Sequence, residues 1–160
     1  GYNRRRWTSS KGERMMYEGL KGLLYGSQYR KFIDQEMGEI EKKYGLNRVD
    51  IQILFYLYRA GEHNCFKDIA EQKFFTKGYI SQSLSRLQQM KLVKTLQDRE
   101  DKRCVHIFLE EKAEEILKEI QVIYDASDEL LFSGVTGEEK EIFLKVVRKI
   151  SDNIKNEISE

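Results

Sequence analysis

The sequence contains no proline in 160 residues and no apolar run of membrane-spanning length. Because proline interrupts helices, its absence indicates long helices with few breaks. A transmembrane helix needs roughly 20 consecutive apolar residues, and the arginines at positions 4–6 precede no apolar signal segment. We therefore expect a cytoplasmic protein that does not associate with membranes.

Cysteine is also scarce in this chain. The two cysteines, Cys65 and Cys104, are too few for a disulfide scaffold and are typical of a protein from a reducing compartment. Hydrophobic residues make up 40% of the chain, which supplies enough apolar surface for a core. This content excludes an intrinsically disordered chain.

The net charge is only +1, but the charged residues are segregated along the chain. Residues 73–103 contain eight basic and three acidic residues, and no acidic residue occurs between Lys73 and Asp98. Residues 110–160 contain seven basic and fourteen acidic residues. A basic stretch inside a neutral or acidic chain is expected of a surface that binds a polyanion. A solvated helix face gives the same pattern, so charge alone leaves both interpretations open.

The periodicity of apolar residues predicts a mainly α-helical fold with one small β-hairpin. The predicted helices cover residues 14–43, 48–59, 66–72, 76–90, 111–132 and 136–158. Two β-prone runs, residues 92–96 and 105–109, flank seven polar residues that suit an exposed hairpin tip. Three helices followed by a hairpin form a winged helix-turn-helix, whose third helix is expected in the major groove of DNA.

The predicted recognition helix, residues 76–90, carries small polar and basic residues on its outer side. Its candidate DNA-binding residues are Thr76, Lys77, Gly78, Tyr79, Ser81, Gln82, Ser85 and Arg86. Glutamine can form two hydrogen bonds to adenine, and basic side chains reach guanine or phosphate. The free N–H groups at the start of the helix can hold a phosphate. An ordinary surface helix has similar residues, but the basic hairpin that follows favours DNA binding.

The predicted hairpin tip adds Arg99, Lys102 and Arg103 to the candidate DNA-binding residues. The tip also contains three acidic residues, which are unsuited to phosphate contact. A carboxylate can instead orient an arginine through a fork-shaped pair of hydrogen bonds. Arginine inserted into a narrow minor groove reads the shape of DNA. The alternative interpretation is a mixed-charge turn that keeps the hairpin soluble.

Four segments together resemble the MarR family of bacterial transcriptional regulators. They are Asp68–Glu71, Ser81–Leu87, Lys91–Val93 and Asp98–Arg103. The most specific is the last, with its pattern Asp-x-x-Asp-x-Arg. The resemblance implies that Arg103 enters the minor groove and that Asp101 braces it. Gln82 stands where the family often has arginine, and Lys91 replaces a glycine between helix and strand.

The resemblance covers nearly the whole chain and implies a winged helix-turn-helix flanked by long dimerisation helices. The expected segments are an N-terminal tail (1–13), an N-terminal dimerisation helix (14–45), the DNA-binding domain (46–110) and C-terminal dimerisation helices (111–160). Homodimerisation suits a pseudo-palindromic operator, because half-sites roughly 34 Å apart need two recognition helices at fixed spacing. Packing within one chain is the other explanation for the apolar stripes of these helices.

The implied function is that of a homodimeric, sequence-specific regulator of transcription that binds double-stranded DNA, most often a repressor. Many family members bind a small aromatic or anionic effector between the dimerisation helices and the winged domain. The candidate pocket residues are Tyr25, Tyr29, Phe55 and Tyr58, since aromatic side chains supply adaptable stacking surface. In the alternative interpretation, the same four residues pack in the hydrophobic core and bind no ligand.

Two further functions stay open at the level of sequence. One is a helical interaction module whose winged domain contacts protein instead of DNA. The other is a thiol-based redox-sensing regulator that uses Cys65, which lies at a predicted helix N-terminus. The spacing of Glu62, His63 and Cys65 matches no metal motif. Because the chain has neither a glycine-rich phosphate loop nor a nucleophile elbow, we expect no enzyme, metal or cofactor.

Overall fold

The structure, a computed structural model, describes residues 26–72 and 74–158. Its elements are α1 (Ser27–Tyr44), α2 (Arg48–Ala60), α3 (Phe66–Glu71), α4 (Lys77–Gln89), β1 (Val93–Gln97), β2 (Val105–Leu109), a 3₁₀ turn (Glu111–Ala113), α5 (Glu114–Leu131) and α6 (Gly137–Ile158). This order confirms the predicted mainly helical fold with a hairpin wing. The tail 1–13 and the first part of the predicted helix 14–43 lie outside the described residues.

Local side-chain chemistry sets where these helices begin and end. α1 ends at Gly45, whose φ of 66° is left-handed and favours glycine. α2 begins at a capping box, in which Asn47 and Asp50 each accept a hydrogen bond from the backbone N–H of the other. α4 begins at Thr76, whose Oγ1 accepts from the N–H of Tyr79 at 3.3 Å.

The turn between α4 and β1 is left-handed at a residue other than glycine. Lys91 has a φ of 59°. Its N–H donates to the carbonyl of Gln88 at 3.0 Å, and the N–H of Leu92 donates to the carbonyl of Leu87 at 2.9 Å. These two bonds close α4 in a Schellman motif, which normally places glycine at this position. The motif directs the chain straight from the recognition helix into the wing.

We expect the Lys91→Gly variant to be more stable than the wild type by about 0.5 kcal/mol. Relief of left-handed strain is worth roughly 1–2 kcal/mol, and the greater freedom of glycine in the unfolded chain offsets part of it. Urea unfolding followed by circular dichroism measures the difference. The matched control is Lys94→Gly, which lies in β1 and should destabilise the protein, because glycine weakens a strand. Equal losses in both variants would contradict the assignment of strain to Lys91.

The wing is a two-stranded antiparallel sheet with a regular register from Val93 opposite Leu109 to Gln97 opposite Val105. The first strand therefore lies one residue later than the predicted 92–96. An isolated bridge adds a third segment, because Cys65 pairs with His106 and the N–H of Ile107 donates to the carbonyl of Asn64 at 3.0 Å. This pairing ties β2 to the start of α3.

One apolar core joins the helix-turn-helix, the wing and α5. Its most buried members include Ile51 and Leu54 of α2, Ile80 and Leu87 of α4, and Ile120 of α5, all fully inaccessible to solvent. Burying a side chain of this size contributes roughly 1.5–3 kcal/mol. The recognition helix is thus held by its inner face while its outer face stays free.

α6 has no comparable packing along most of its length. Every residue from Gly137 to Glu157 is exposed except Lys140, which is partly buried. Its apolar side chains still follow helical spacing, as Phe143, Val147, Ile150 and Ile154 do. Among the described helices, none combines the length and the apolarity that crossing a bilayer requires.

Candidate nucleic-acid interface

The outer face of α4 is polar and open to solvent. The exposed residues at its start and along this face are Thr76, Lys77, Gly78, Tyr79, Ser81, Gln82 and Ser85. A Cβ atom added to Gly78 would meet nothing nearer than Thr76 Oγ1 at 3.9 Å. The structure therefore brings seven of the eight residues predicted on this helix to one accessible surface.

Arg86 is the exception, because it is paired inside the domain. Its Nη2 donates to Asp50 Oδ1 at 2.9 Å and its Nε to Asp50 Oδ2 at 3.3 Å. Asp50 is only 1% exposed and also accepts from Ser83 Oγ at 2.5 Å and from the Asn47 N–H at 3.0 Å. A buried carboxylate needs such partners to offset its lost hydration. We therefore correct the expectation that Arg86 points outward to DNA and assign it to positioning α4 on α2.

The wing tip is shaped by its own acidic residues. Asp98 Oδ1 accepts from the N–H groups of Glu100 at 2.8 Å and Asp101 at 3.0 Å. The N–H of Asp98 donates to the carbonyl of Cys104, and the N–H of Cys104 donates to the carbonyl of Asp101, both at 2.9 Å. Gln97 Nε2 donates a hydrogen bond to the carbonyl of Lys102 at 2.7 Å, which joins the two sides of the loop. Two of the three acidic residues that seemed unsuited to phosphate contact, Asp98 and Asp101, therefore stabilise the turn through their carboxylates.

The predicted bracing of Arg103 by Asp101 takes a different form in the structure. Asp101 Oδ1 accepts from the backbone N–H of Arg103 at 3.0 Å, not from its guanidinium. A carboxylate two residues back readily makes this local turn bond, which competes with a side-chain pair. Asp101 therefore fixes the backbone that carries Arg103. The side chains of Arg99, Lys102 and Arg103 are exposed.

The electrostatics of the wing favour a permanently ionised Asp98. The N–H of Asp101, the ring of His106 and the N–H of Glu100 lower the pKa of Asp98 to about 2. His106 Nε2 lies 2.8 Å from Asp98 Oδ2, and its Nδ1 lies 2.7 Å from Asn64 Oδ1. The side chain of His106 thereby connects the wing tip to the segment before α3.

The recognition helix and the wing are also joined directly. Gln88 Nε2 near the end of α4 donates to Thr95 Oγ1 of β1 at 3.0 Å. The N–H of Glu110, just after β2, donates to the carbonyl of Leu92 at 2.9 Å. The candidate helix and the candidate wing residues are therefore carried by one connected unit.

The two cysteines, which sequence reasoning treated separately, lie together at the base of the wing. The sulfur atoms of Cys65 and Cys104 are in bonding contact, and their Cα atoms are 6.2 Å apart. His106 lies beside both. Among the described residues, Cys65, Cys104 and His106 form a group whose donor atoms, all within 4.8 Å, could share a metal ion. With the sulfurs bonded to each other, neither is available as a thiolate ligand.

The four aromatic residues predicted to line an effector pocket do not share one pocket. Tyr25 lies outside the described residues. The Tyr29 hydroxyl accepts from Ser127 Oγ at 2.9 Å. Phe55 lines a cleft of 480 Å³, whereas Tyr58 lines a different one.

The cleft beside Phe55 includes two residues that sequence reasoning missed. The rings of Phe55 and Tyr124 have centroids 4.4 Å apart, and Arg59 lies 5.6 Å from the Phe55 centroid. Burial raises the pKa of Tyr124, with the nearby Tyr29 adding to the effect. No local pattern joins Phe55 to Tyr124, because their contact depends on how α5 crosses α2.

Solved structures of regulators share this fold. The chain matches the Staphylococcus aureus MepR structure in its DNA-binding conformation with a TM-score of 0.71 and 21% identity, over 86% of this chain and 98% of that one. It matches a MarR crystal structure with a TM-score of 0.57 and 26% identity, over 86% and 98%. The fold is that of the MarR-type winged-helix regulators.

The sequence comparisons narrow this class to a family. The regulator HosA of Escherichia coli O111:H- is 33% identical over 82 residues, 51% of this chain and 61% of HosA. The Bacillus subtilis protein YkoM, described as an uncharacterised HTH-type transcriptional regulator, is 25% identical over 108 residues, 68% of this chain and 70% of YkoM. Residues 35–120 match the transcriptional regulator SarA/Rot family. The chain belongs to that family of transcriptional regulators.

Proposed function

We propose that this protein is a homodimeric, sequence-specific DNA-binding regulator of transcription, with α4 in the major groove and wing Arg103 in the minor groove. The observation that carries the proposal is the pairing of two accessible surfaces on one connected unit. One is the exposed polar face of α4, and the other is the exposed basic tip of the wing. Helix and wing then contact adjacent grooves together. Since its ligand is chromosomal DNA, the proposal also assigns the protein to the bacterial cytoplasm.

The comparisons support this proposal. One structurally similar chain comes from a complex of Staphylococcus aureus MepR with DNA, with a TM-score of 0.64 and 22% identity. The residues matched to the SarA/Rot family, 35–120, include all of α2, α3, α4 and the wing.

Selection from a random duplex pool with the purified protein tests the proposal. We expect enrichment of a pseudo-palindrome whose half-sites are about one helical turn apart, because a two-fold dimer presents two equivalent recognition helices. Failure to enrich any duplex would contradict DNA recognition. It would favour the alternative, a winged domain that contacts protein.

The proposed dimer would use the exposed apolar stripe of α6 together with the other flanking helices. Phe143, Val147, Ile150 and Ile154 are each at least 37% exposed although they follow one helical stripe. A stripe of this kind on a 22-residue helix is typical of a surface buried in an assembly.

We expect the double variant Val147→Glu/Ile150→Glu to weaken dimerisation by at least about 100-fold. Each dimer would then bury four carboxylates in place of apolar side chains. The loss of each buried apolar side chain costs roughly 1–3 kcal/mol of dimer stability. Sedimentation velocity over a concentration series measures the change. Lys145→Glu, at an exposed position on the opposite side of the same helix, is the control and should leave the dimer intact. Equal sedimentation of wild type and double variant would contradict the assignment.

We also propose that a small aromatic anion binds the cleft that α2 lines together with α3, the segment after α3 and Tyr124 of α5, and that this anion releases a repressor from DNA. The stacked Phe55 and Tyr124 offer an aromatic wall, and Arg59 offers a cation for a carboxylate. A series of aromatic carboxylates should lower duplex affinity by about 5- to 100-fold, the usual range of allosteric coupling. Fluorescence anisotropy measures this loss, and Arg59→Gln should abolish it while leaving unliganded affinity unchanged. An undiminished response in Arg59→Gln would contradict this site.

A further inference from the structure

The cysteine pair is held in place by backbone bonds that do not depend on sulfur. The bridge between Cys65 and His106, and the hydrogen bond from the Ile107 N–H to the Asn64 carbonyl, fix β2 beside the start of α3. Cys104 lies directly before β2, two residues from the His106 that pairs with Cys65, and so falls beside Cys65. The Cα separation of 6.2 Å lies within the range of disulfides. Two thiols placed here would remain neighbours when reduced.

The surroundings of the pair favour thiol chemistry. His106 Nδ1 lies 3.4 Å from Cys65 Sγ, and His106 Nε2 lies 3.9 Å from Cys104 Sγ. An imidazole beside a thiol stabilises the reactive thiolate. Cys104 is partly exposed and Cys65 is buried. An oxidant from solvent therefore reaches Cys104 first. Cys65 lies close enough to form a disulfide with the oxidised Cys104.

We propose that Cys65 and Cys104 form a reversible disulfide, installed by a hydroperoxide, that locks the wing onto the helix-turn-helix. The Cys104 thiol loses its proton and the thiolate attacks the peroxide, so that an S–O bond forms and the O–O bond breaks. The leaving oxygen takes up the proton and departs as an alcohol, or as water when the oxidant is hydrogen peroxide. The Cys65 sulfur then attacks the sulfenic acid, so that the S–S bond forms and water leaves. Two thiols and one hydroperoxide thus give one disulfide, one alcohol and one water. A dithiol reductant reverses the reaction by exchange.

The disulfide would restrain the segments that form the proposed DNA-binding surface. The disulfide closes a loop of sequence separation 39, which contains α3, α4, β1 and the wing tip. Cys104 directly follows Arg103, so the bond ties the backbone beside that arginine to the start of α3, the helix that precedes α4. A contact made by two surfaces binds more tightly when both are preorganised. The oxidised protein is therefore the tighter DNA binder, an inference that rests on the proposed function.

The test compares the full chain after treatment with hydrogen peroxide and after reduction with dithiothreitol. We expect peroxide to remove both reactive thiols and to give a mass-spectrometric cross-link between the Cys65 and Cys104 peptides within one chain. The melting temperature should rise, because a closed loop constrains the unfolded chain. Affinity for a labelled duplex selected from a random pool should rise about two- to tenfold, since preorganisation lowers the cost of binding.

Cys104→Ser is the matched control, since this side chain is the more exposed of the two. Cys65→Ala is a second variant, which removes the buried thiol of the pair. Both variants should bind the duplex like the reduced wild type and should not respond to peroxide. Reversible oxidation that leaves wild-type affinity unchanged, a cross-link between chains, or thiols that stay free would overturn the proposal. A Zn²⁺ ion that survives dialysis and shields both thiols would overturn it in favour of a metal site.

The two proposals fail in distinguishable ways. Thiol titration, peptide mapping and melting temperature report on the disulfide without any DNA. If the protein forms the reversible cross-link but binds the duplex in neither redox state, the proposed function fails, and the coupling to DNA fails with it. If it binds the duplex and never forms the cross-link, only the disulfide proposal fails.

Discussion

Replacing Arg103 by alanine should weaken binding to the selected duplex by about 10- to 100-fold, the usual cost of removing a groove-reading arginine. The backbone at this residue is fixed by Asp101 Oδ1 and by the bonds that surround Cys104, while the guanidinium is exposed. The variant therefore removes an exposed side chain, and it leaves the turn intact. Fluorescence anisotropy on the selected duplex measures the loss.

Two comparisons separate this effect from a general loss of positive charge. Lys118→Ala removes an exposed cation from α5, outside the proposed interface, and should change affinity little. The slope of log affinity against log salt should become shallower by about one in Arg103→Ala, since the interface with DNA loses one positive charge and one counterion fewer is released. Equal losses in the two variants would show that the wing makes no specific contact.

Replacing Asp50 by alanine should cost about 3 kcal/mol of folding stability, the low end of the range for breaking a buried ion pair. Asp50 accepts hydrogen bonds from Asn47, from Ser83 and twice from Arg86. Its loss removes the capping box of α2 and leaves the Ser83 hydroxyl buried without its partner. Because Arg86 is 40% exposed, water compensates part of its lost pairing, which keeps the expected cost at the low end.

Urea unfolding followed by circular dichroism measures this loss. The control is Asp125→Ala, because Asp125 is exposed and accepts only a bond from the nearby Gln121. An exposed position of this kind should change stability by about 0.5 kcal/mol or less. Equal unfolding midpoints for wild type and Asp50→Ala would contradict the role of Asp50 as the link between α2 and α4.

The local features of the fold could be predicted because the signals that produce them are local. Gly45 ends α1 and Thr76 begins α4, as the sequence indicates. The change from helical to strand periodicity after Met90 marks the wing. The exposure of most of the α4 candidates follows from the same periodicity, since Ile80, Leu84 and Leu87 must face the core.

The pairs that join distant segments could not be predicted from one sequence. Arg86 lies on the predicted outer side of α4, but Asp50, which pairs with it, is 36 residues away in sequence. Nothing in the sequence shows that this carboxylate is buried beneath α4. The same limit applies to Cys65 and Cys104, which meet only because β2 pairs with the start of α3.

The salt dependence of binding to the selected duplex tests the central claim most directly. We expect the affinity of the wild type to fall steeply as salt rises, because a protein that contacts phosphates displaces counterions from DNA. The triple variant Lys77→Ala/Arg99→Ala/Arg103→Ala should lose most of this affinity and most of the slope, while its unfolding midpoint stays close to that of the wild type. Salt-independent binding, or a triple variant that binds as tightly as the wild type, would contradict a DNA interface formed by α4 and the wing.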